Sequence, residues 1–99
     1  MEHVTYALIA RVPPDRVAEF QAYEHAVLPL LAEHGGQLDR RVRSLDGTLE
    51  IHLLVFDSPQ GLARFRSDPR RAAAQPLLQA AAPELELIDV VHVSDSASS

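Results

Sequence analysis

The chain contains no cysteine, so disulfides and a thiol nucleophile play no part in its design, and its composition fits a reducing cytoplasm. It has no apolar run near the roughly 20 residues that a membrane-spanning helix needs. The N-terminus lacks the basic-then-apolar layout of a secretory signal. Basic side chains are in the minority: nine Lys and Arg against fourteen Asp and Glu, for a net charge of −5. That balance argues against nucleic acid or an anionic membrane as a partner. There is no phosphate-cradling glycine loop and no hydrolase-type serine motif. The five histidines, at 3, 25, 34, 52 and 92, include no pair at the i, i+4 spacing of helical ligands. No metal and no other cofactor is therefore expected.

What is present is a single alternation of strands and helices. Ninety-nine residues, 46% of them hydrophobic, make one domain. We expect it to span residues 1–93, with the small polar tail 94–99 disordered. The longest helical pattern runs from Asp15 to Gly36. Asp15 is expected to cap it, and Pro29 to kink it without ending it, because the apolar stripe of Val17, Phe20, Val27 and Leu31 resumes in register. Gly35-Gly36 supplies the left-handed stop. Tyr23, Glu24 and His34 interrupt the same stripe, and His25 points away from it.

Residues 3–12, 37–44, 48–56 and 84–93 alternate with period two and read as strands. Asp46-Gly47 marks a hairpin between the second and third. It pairs Ser44 with Leu49, Val42 with Ile51, Arg40 with Leu53 and Leu38 with Val55; on the opposite face Arg43 meets Glu50, Arg41 meets His52 and Asp39 meets Leu54. Ser58-Pro59 opens the second helical region, Asp68-Pro69 interrupts it, Pro76 lies inside it and Pro83 stops it. The order β-α-β-β-α-β is the ferredoxin-like α+β fold: a four-stranded antiparallel sheet with its helices on one face. Taking the more aliphatic face of each strand as the core leaves Ala7, Ile9, Leu54, Phe56, Ile88 and Val90 on an open face, together with His52, Arg41 and Glu50. Six apolar residues on one uncovered face point to a homodimer packed sheet to sheet.

Phe20-Gln21-Ala22-Tyr23-Glu24, Leu28-Pro29-Leu30-Leu31 and His34-Gly35-Gly36 carry a resemblance to a known group of proteins, as do Phe56-Asp57-Ser58-Pro59 and Ala63-Arg64-Phe65-Arg66-Ser67-Asp68-Pro69. Over about residues 4 to 93 the chain resembles the dimeric α+β barrel superfamily. Within it, the likeness is to a bacterial family of unknown function related to antibiotic-biosynthesis monooxygenases. The resemblance implies the fold and the dimer. Its members include cofactor-free monooxygenases, isomerases, haem enzymes and proteins with no known reaction, and it assigns no catalytic residue here.

The candidate site residues come from the polar side chains on apolar faces. Glu24, on a buried stripe, is either a proton acceptor with a raised pKa or the partner of an arginine such as Arg40. Tyr23 and Tyr6 either orient a ligand or pack with a wet hydroxyl. His34 is either an acid, base or ligand, or a histidine placed favourably at a helix C-terminus. His52, with Arg41 and Glu50, is expected to form a hydrogen-bond network in the dimer face. The function expected is binding of a small, partly apolar molecule between sheet and helices, lined by Tyr6, Tyr23, Glu24 and His34, with Glu24 or His34 as base and Tyr23 as positioning donor. A cofactor-free monooxygenase or isomerase would fit that chemistry. The alternative is a non-catalytic dimerisation or interaction module.

Overall fold

A computed structural model describes residues 3–93; the tail expected to be disordered lies outside the described residues. Strand β1 (Val4–Arg11) leads through a 3-10 turn (Pro14–Arg16) into helix α1 (Val17–Val27). A 3-10 segment, Leu28–His34, continues α1 and delivers the chain to β2 (Gly36–Arg43) and β3 (Leu49–Phe56). Three short helices follow, α2 (Pro59–Arg66), α3 (Pro69–Ala73) and α4 (Gln75–Ala81), then β4 (Glu84–Val90). The sheet has the order β2-β3-β1-β4, and every neighbouring pair is antiparallel. This is the expected ferredoxin-like α+β arrangement.

The prolines set the helix boundaries. Asp15 does not cap α1: it lies inside the 3-10 turn, which Arg16 closes by donating its N–H to the Pro13 carbonyl at 2.9 Å. The expected kink at Pro29 takes the form of a change of helix type. Proline has no N–H to donate to the α-helical ladder, and the chain tightens to 3-10 from Leu28 until Gly35, whose φ of 72° ends it. Asp68 caps α3, accepting from the Arg70 N–H at 2.8 Å. Phe20, Tyr23, Glu24 and Val27 of α1 and Leu30 and Leu31 beyond it are all buried, so the stripe falls where the periodicity puts it.

The hairpin differs from expectation in two ways. Arg43↔Glu50, Val42↔Ile51, Arg41↔His52 and Arg40↔Leu53 pair as expected. A bulge at Asp39 then shifts the register, so Leu38 opposes Leu54, not Val55, and Gly36 opposes Phe56. The bulge keeps an aspartate out of the core and puts Leu38 there; it also brings a glycine against the fully buried Phe56 ring. The second difference is larger. Glu50, His52, Leu54 and Phe56 are the buried residues of β3, whereas Leu49, Ile51, Leu53 and Val55 are only partly buried. Leu54 and Phe56 therefore face the helices, and so do His52, Glu50 and Arg41. None of them lies on the open face. The register between β1 and β3 is the reason. Tyr6 and Ala10 are buried and face the helices; Tyr6 pairs with Leu54 and Ala10 with Glu50, and cross-strand partners share a face. The open face carries Ile51, Leu53 and Val55 beside Ala7, Ile9, Ile88 and Val90, and is more aliphatic than expected.

The core divides in two. One part joins Ala10 and Val12 to Phe20, Tyr23 and Val27 of α1 and to Ala74 and Ala81. The other joins Tyr6, Leu54 and Phe56 to Leu30, Leu31 and Phe65. Gly61 of α2 makes the second part possible: a Cβ there would collide with the His34 carbonyl oxygen and press on Phe56 at 3.0 Å. The expected result of Gly61→Ala is a loss of about 1–3 kcal/mol through overpacking. It can be read from a shift in the urea midpoint at unchanged m-value.

Candidate functional site

Between α1 and the sheet lies a compact group of charges. Glu24 is 3% exposed, Glu50 1% and His52 1%. The His52 imidazole sits between the two carboxylates. Its Nε2 donates to Glu50 Oε1 at 2.8 Å and lies 3.0 Å from Glu24 Oε2, off the line of a hydrogen bond. Arg41 joins the same pair from β2, donating from Nε to Glu50 at 3.1 Å and from Nη2 to Glu24 at 3.0 Å. Arg43 Nε donates to the other Glu50 oxygen at 2.7 Å. Glu24 Oε2 and His52 Nδ1 are left buried without a hydrogen-bond partner among the described residues.

The two carboxylates divide their roles by environment. Burial pushes the Glu24 carboxyl up, and the neighbouring Glu50 charge adds to the push. Glu50 moves down: burial opposes this, but hydrogen bonds from its surroundings, His52, Arg43 and Arg41 among them, outweigh it. His52 moves up, since Glu24 and Glu50 stabilise its imidazolium by more than burial disfavours it. Glu24, Glu50 and His52 also have metal-site spacing, with ligand atoms within 4.8 Å of one another. Two guanidiniums already supply the countercharge a cation would bring, so the donor set suits an ion-pair network better than a metal.

A second feature lies on the other side of the sheet's inner face. A cleft of about 410 Å³ opens between α2 and the sheet, walled by Leu8, Leu54, Leu62, Phe65, Leu85 and Leu87, with Arg66 and Arg71 as its polar part. Arg71 is held in place: Nη2 donates to the Tyr23 hydroxyl at 2.9 Å, and the guanidinium lies 4.8 Å over the Phe65 ring. Its Nε–H is buried without an acceptor among the described residues. A mostly apolar cleft with one positioned cation suits a small molecule that is apolar over most of its surface and anionic at one end.

The four expected site residues go to different places. Tyr23 reaches the α2 cleft through Arg71. Glu24 lines a separate groove between α1 and β2. His34 is bonded to the buried Asp68 at 2.8 Å, tying the end of the 3-10 segment to the cap of α3. Arg70 clamps the same aspartate and reaches Glu33 at 2.8 Å, and these contacts hold the Asp68 carboxyl well below the usual carboxylate range. Tyr6 is buried edge-on against Phe56, with ring centroids 6.2 Å apart. No hydrogen bond among the described residues joins any two of the four. The arginine that meets Glu24 is Arg41 and not Arg40, which shares a face with Leu53. Arg71 was missed: Arg70-Arg71 reads as a solvated basic step, and nothing local shows that Tyr23 lies 48 positions away in sequence and within reach.

The chain has the same fold as solved structures described as antibiotic biosynthesis monooxygenases and as proteins of unknown function. Solved structures similar to it include Rv0793 from Mycobacterium tuberculosis, with a TM-score of 0.74 at 13% identity over 96% of this chain and 99% of that one. A Bacteroides thetaiotaomicron protein provisionally described as an antibiotic biosynthesis monooxygenase superposes with a TM-score of 0.77 at 14% identity, over 94% and 91%. SnoaB, a cofactor-independent oxygenase from Streptomyces nogalater, does so with 0.70 at 18% identity, over 94% and 97%. No family model matches the sequence. No curated protein matches it either.

The charge group gives the protein a pH dependence whose sign follows from the raised His52 pKa. The folded state keeps a proton that the unfolded state releases near 6.5. The stabilisation is complete below that pH and declines as pH rises through the higher folded value. Urea titrations between pH 5 and 9 should therefore show stability falling on the alkaline side. In His52→Gln that slope should be largely lost, and stability at pH 6 should fall by about 3 kcal/mol, because a buried charge has lost its partner.

Proposed function

We propose that this protein binds a small, partly apolar anion in the α2 cleft and acts on it as a cofactor-free monooxygenase or isomerase. The observation that carries this reading is Arg71, a cation fixed by the Tyr23 hydroxyl and the Phe65 ring at the edge of an otherwise leucine-lined cleft, with a donor unused. A substrate that ionises by losing a proton, such as an enol or a phenol, would rest its apolar body on the leucines and its charge on Arg71 and Arg66. Stabilising that anion is the step such a site can catalyse, since an electron-rich anion is the form that reacts with dioxygen or takes its proton back at another carbon. Tyr23 is the positioning residue in this scheme. The proton such a substrate loses passes to solvent; Glu24, whose carboxyl burial pushes up, faces the other groove and takes no part in this scheme, and His34, bonded to Asp68, serves as a strut. The oxygenase named among the similar structures supports the chemistry and lends nothing to the choice of residues.

The assembly proposed is a homodimer in the cytoplasm, joined through the open sheet face. Ile51, Leu53, Val55, Ala7, Ile9, Ile88 and Val90 form a continuous aliphatic surface on that face, and Ile88 is 38% exposed. No described helix is long and apolar enough to cross a membrane. The other reading, a non-catalytic dimerisation or interaction module, draws support from the structural partners that Tyr6, Glu24 and His34 each already have.

Oxygen uptake separates the two readings. With a panel of aromatic enols and phenols, the protein should consume oxygen, and Arg71→Gln should lower kcat/KM by about a hundredfold, as expected for losing one fixed donor to a developing anion. No uptake and no binding across the panel would favour the module. For the dimer, Leu53→Asp should give a monomer or an insoluble protein in sedimentation at micromolar concentration. A wild-type protein that sediments as a monomer would remove the assembly claim.

A further inference from the structure

The groove between α1 and the edge strand β2 has no role in the function proposed above. It encloses about 520 Å³ and is lined by His25 and Leu28 from the helix side, Leu38, Arg41 and Arg43 from the strand, and the buried Glu24. Both arginines are partly committed inward. Arg41 spends Nε and Nη2 on Glu50 and Glu24. Arg43 spends Nε on Glu50, with Nη2 3.9 Å from Glu24. Each guanidinium carries five N–H donors, and among the described residues no acceptor bonds Nη1 of either. With side chains 35% and 39% exposed, both are accessible from the groove.

The charge count decides which kind of ligand fits. Two carboxylates are balanced by two guanidiniums, and His52 sits between the carboxylates as a fifth group. Protonated, it leaves the cluster with one positive charge in excess, supported by the upward shift of its pKa. A cation would add to that excess, and an anion would cancel it. Two guanidinium edges suit a planar carboxylate, which can accept paired N–H bonds. Leu28 and Leu38 offer a short apolar wall beside them, enough for a compact body and not for a long chain.

We infer that the α1–β2 groove is a second small-molecule site, taking a monocarboxylate with a compact apolar body, its carboxylate on the outer edges of Arg41 and Arg43 and its body against Leu28 and Leu38. Benzoate is the probe, and benzamide is its neutral counterpart of the same shape. In an amide NMR titration, benzoate should give saturable shifts along Gln21–Leu28 and Leu38–Arg43, with a Kd at least tenfold below that of benzamide. Arg43→Gln should raise the benzoate Kd tenfold or more, whereas Arg64→Gln, an exposed charge control on α2, should leave it unchanged. If Arg43→Gln does not fold, Gln21→Trp fills the groove from α1 without removing a charge and should abolish the same shifts. Equal affinity for benzoate and benzamide would overturn the inference. So would shifts confined to Leu8, Leu62 and Phe65 around the other cleft, or shifts that survive Gln21→Trp.

Discussion

Two carboxylates, one on α1 and one on β3, are buried close enough to flank a single imidazole, and much of the domain is arranged around keeping them there. An ionised carboxylate removed from water without a partner costs far more than a domain of this size can spare. Glu24 and Glu50 therefore need cations, and the adjacent edge strand supplies them. Arg41 and Arg43 must reach the helix-facing side of β2, which fixes the register of its second half. The polar group lies under α1 at the β2–β3 side of the inner face, and the apolar core forms two separate clusters. The α2 cleft and the α1–β2 groove open on opposite flanks of this arrangement.

The fold was largely legible because its signals are local. Period-two and period-3.6 patterns, the Asp46-Gly47 turn, Gly35 and the prolines give the element order, and the order restricts the topology. The buried stripe of α1, with Tyr23 and Glu24 inside it, was read correctly from spacing alone. The inner face of β3 was not. Hydrophobicity favours Leu49, Ile51, Leu53 and Val55 as the core, yet the pairing Tyr6↔Leu54 turns Glu50 and His52 inward and sends the aliphatic set out. That outcome depends on the register of two strands separated by a helix and a hairpin. It also depends on the availability of Arg41 and Arg43 to neutralise what is turned in.

The candidate site was legible only in part, for a related reason. Polar residues on apolar faces could be found, but not their partners. Glu24 was recognised as a carboxylate in need of an arginine, and the choice of Arg40 failed because one residue along a strand is the difference between inside and outside. Arg71 looked like half of a solvated pair. Its placement over Phe65 and against Tyr23 comes from the short α3 turn that Asp68 caps, a tertiary arrangement with no sequence period to reveal it. His34 was singled out as a chemical group; its bond to Asp68 shows the same imidazole serving to hold that turn.

The bulge at Asp39 has a consequence for the evolutionary record of such proteins. Before it, the even positions of β2, Gly36 and Leu38, look toward the helices; after it, the odd positions Arg41 and Arg43 do. A relative that gained or lost this single residue would keep the same strand and the same fold while exchanging inward for outward along half its length. Residue-by-residue alignment across that point would then equate a core leucine with an outward aspartate, or a network arginine with its outward neighbour. At the 11–18% identity between this chain and solved structures of the same fold, equivalence along such a strand is better judged by which β3 residue each position opposes.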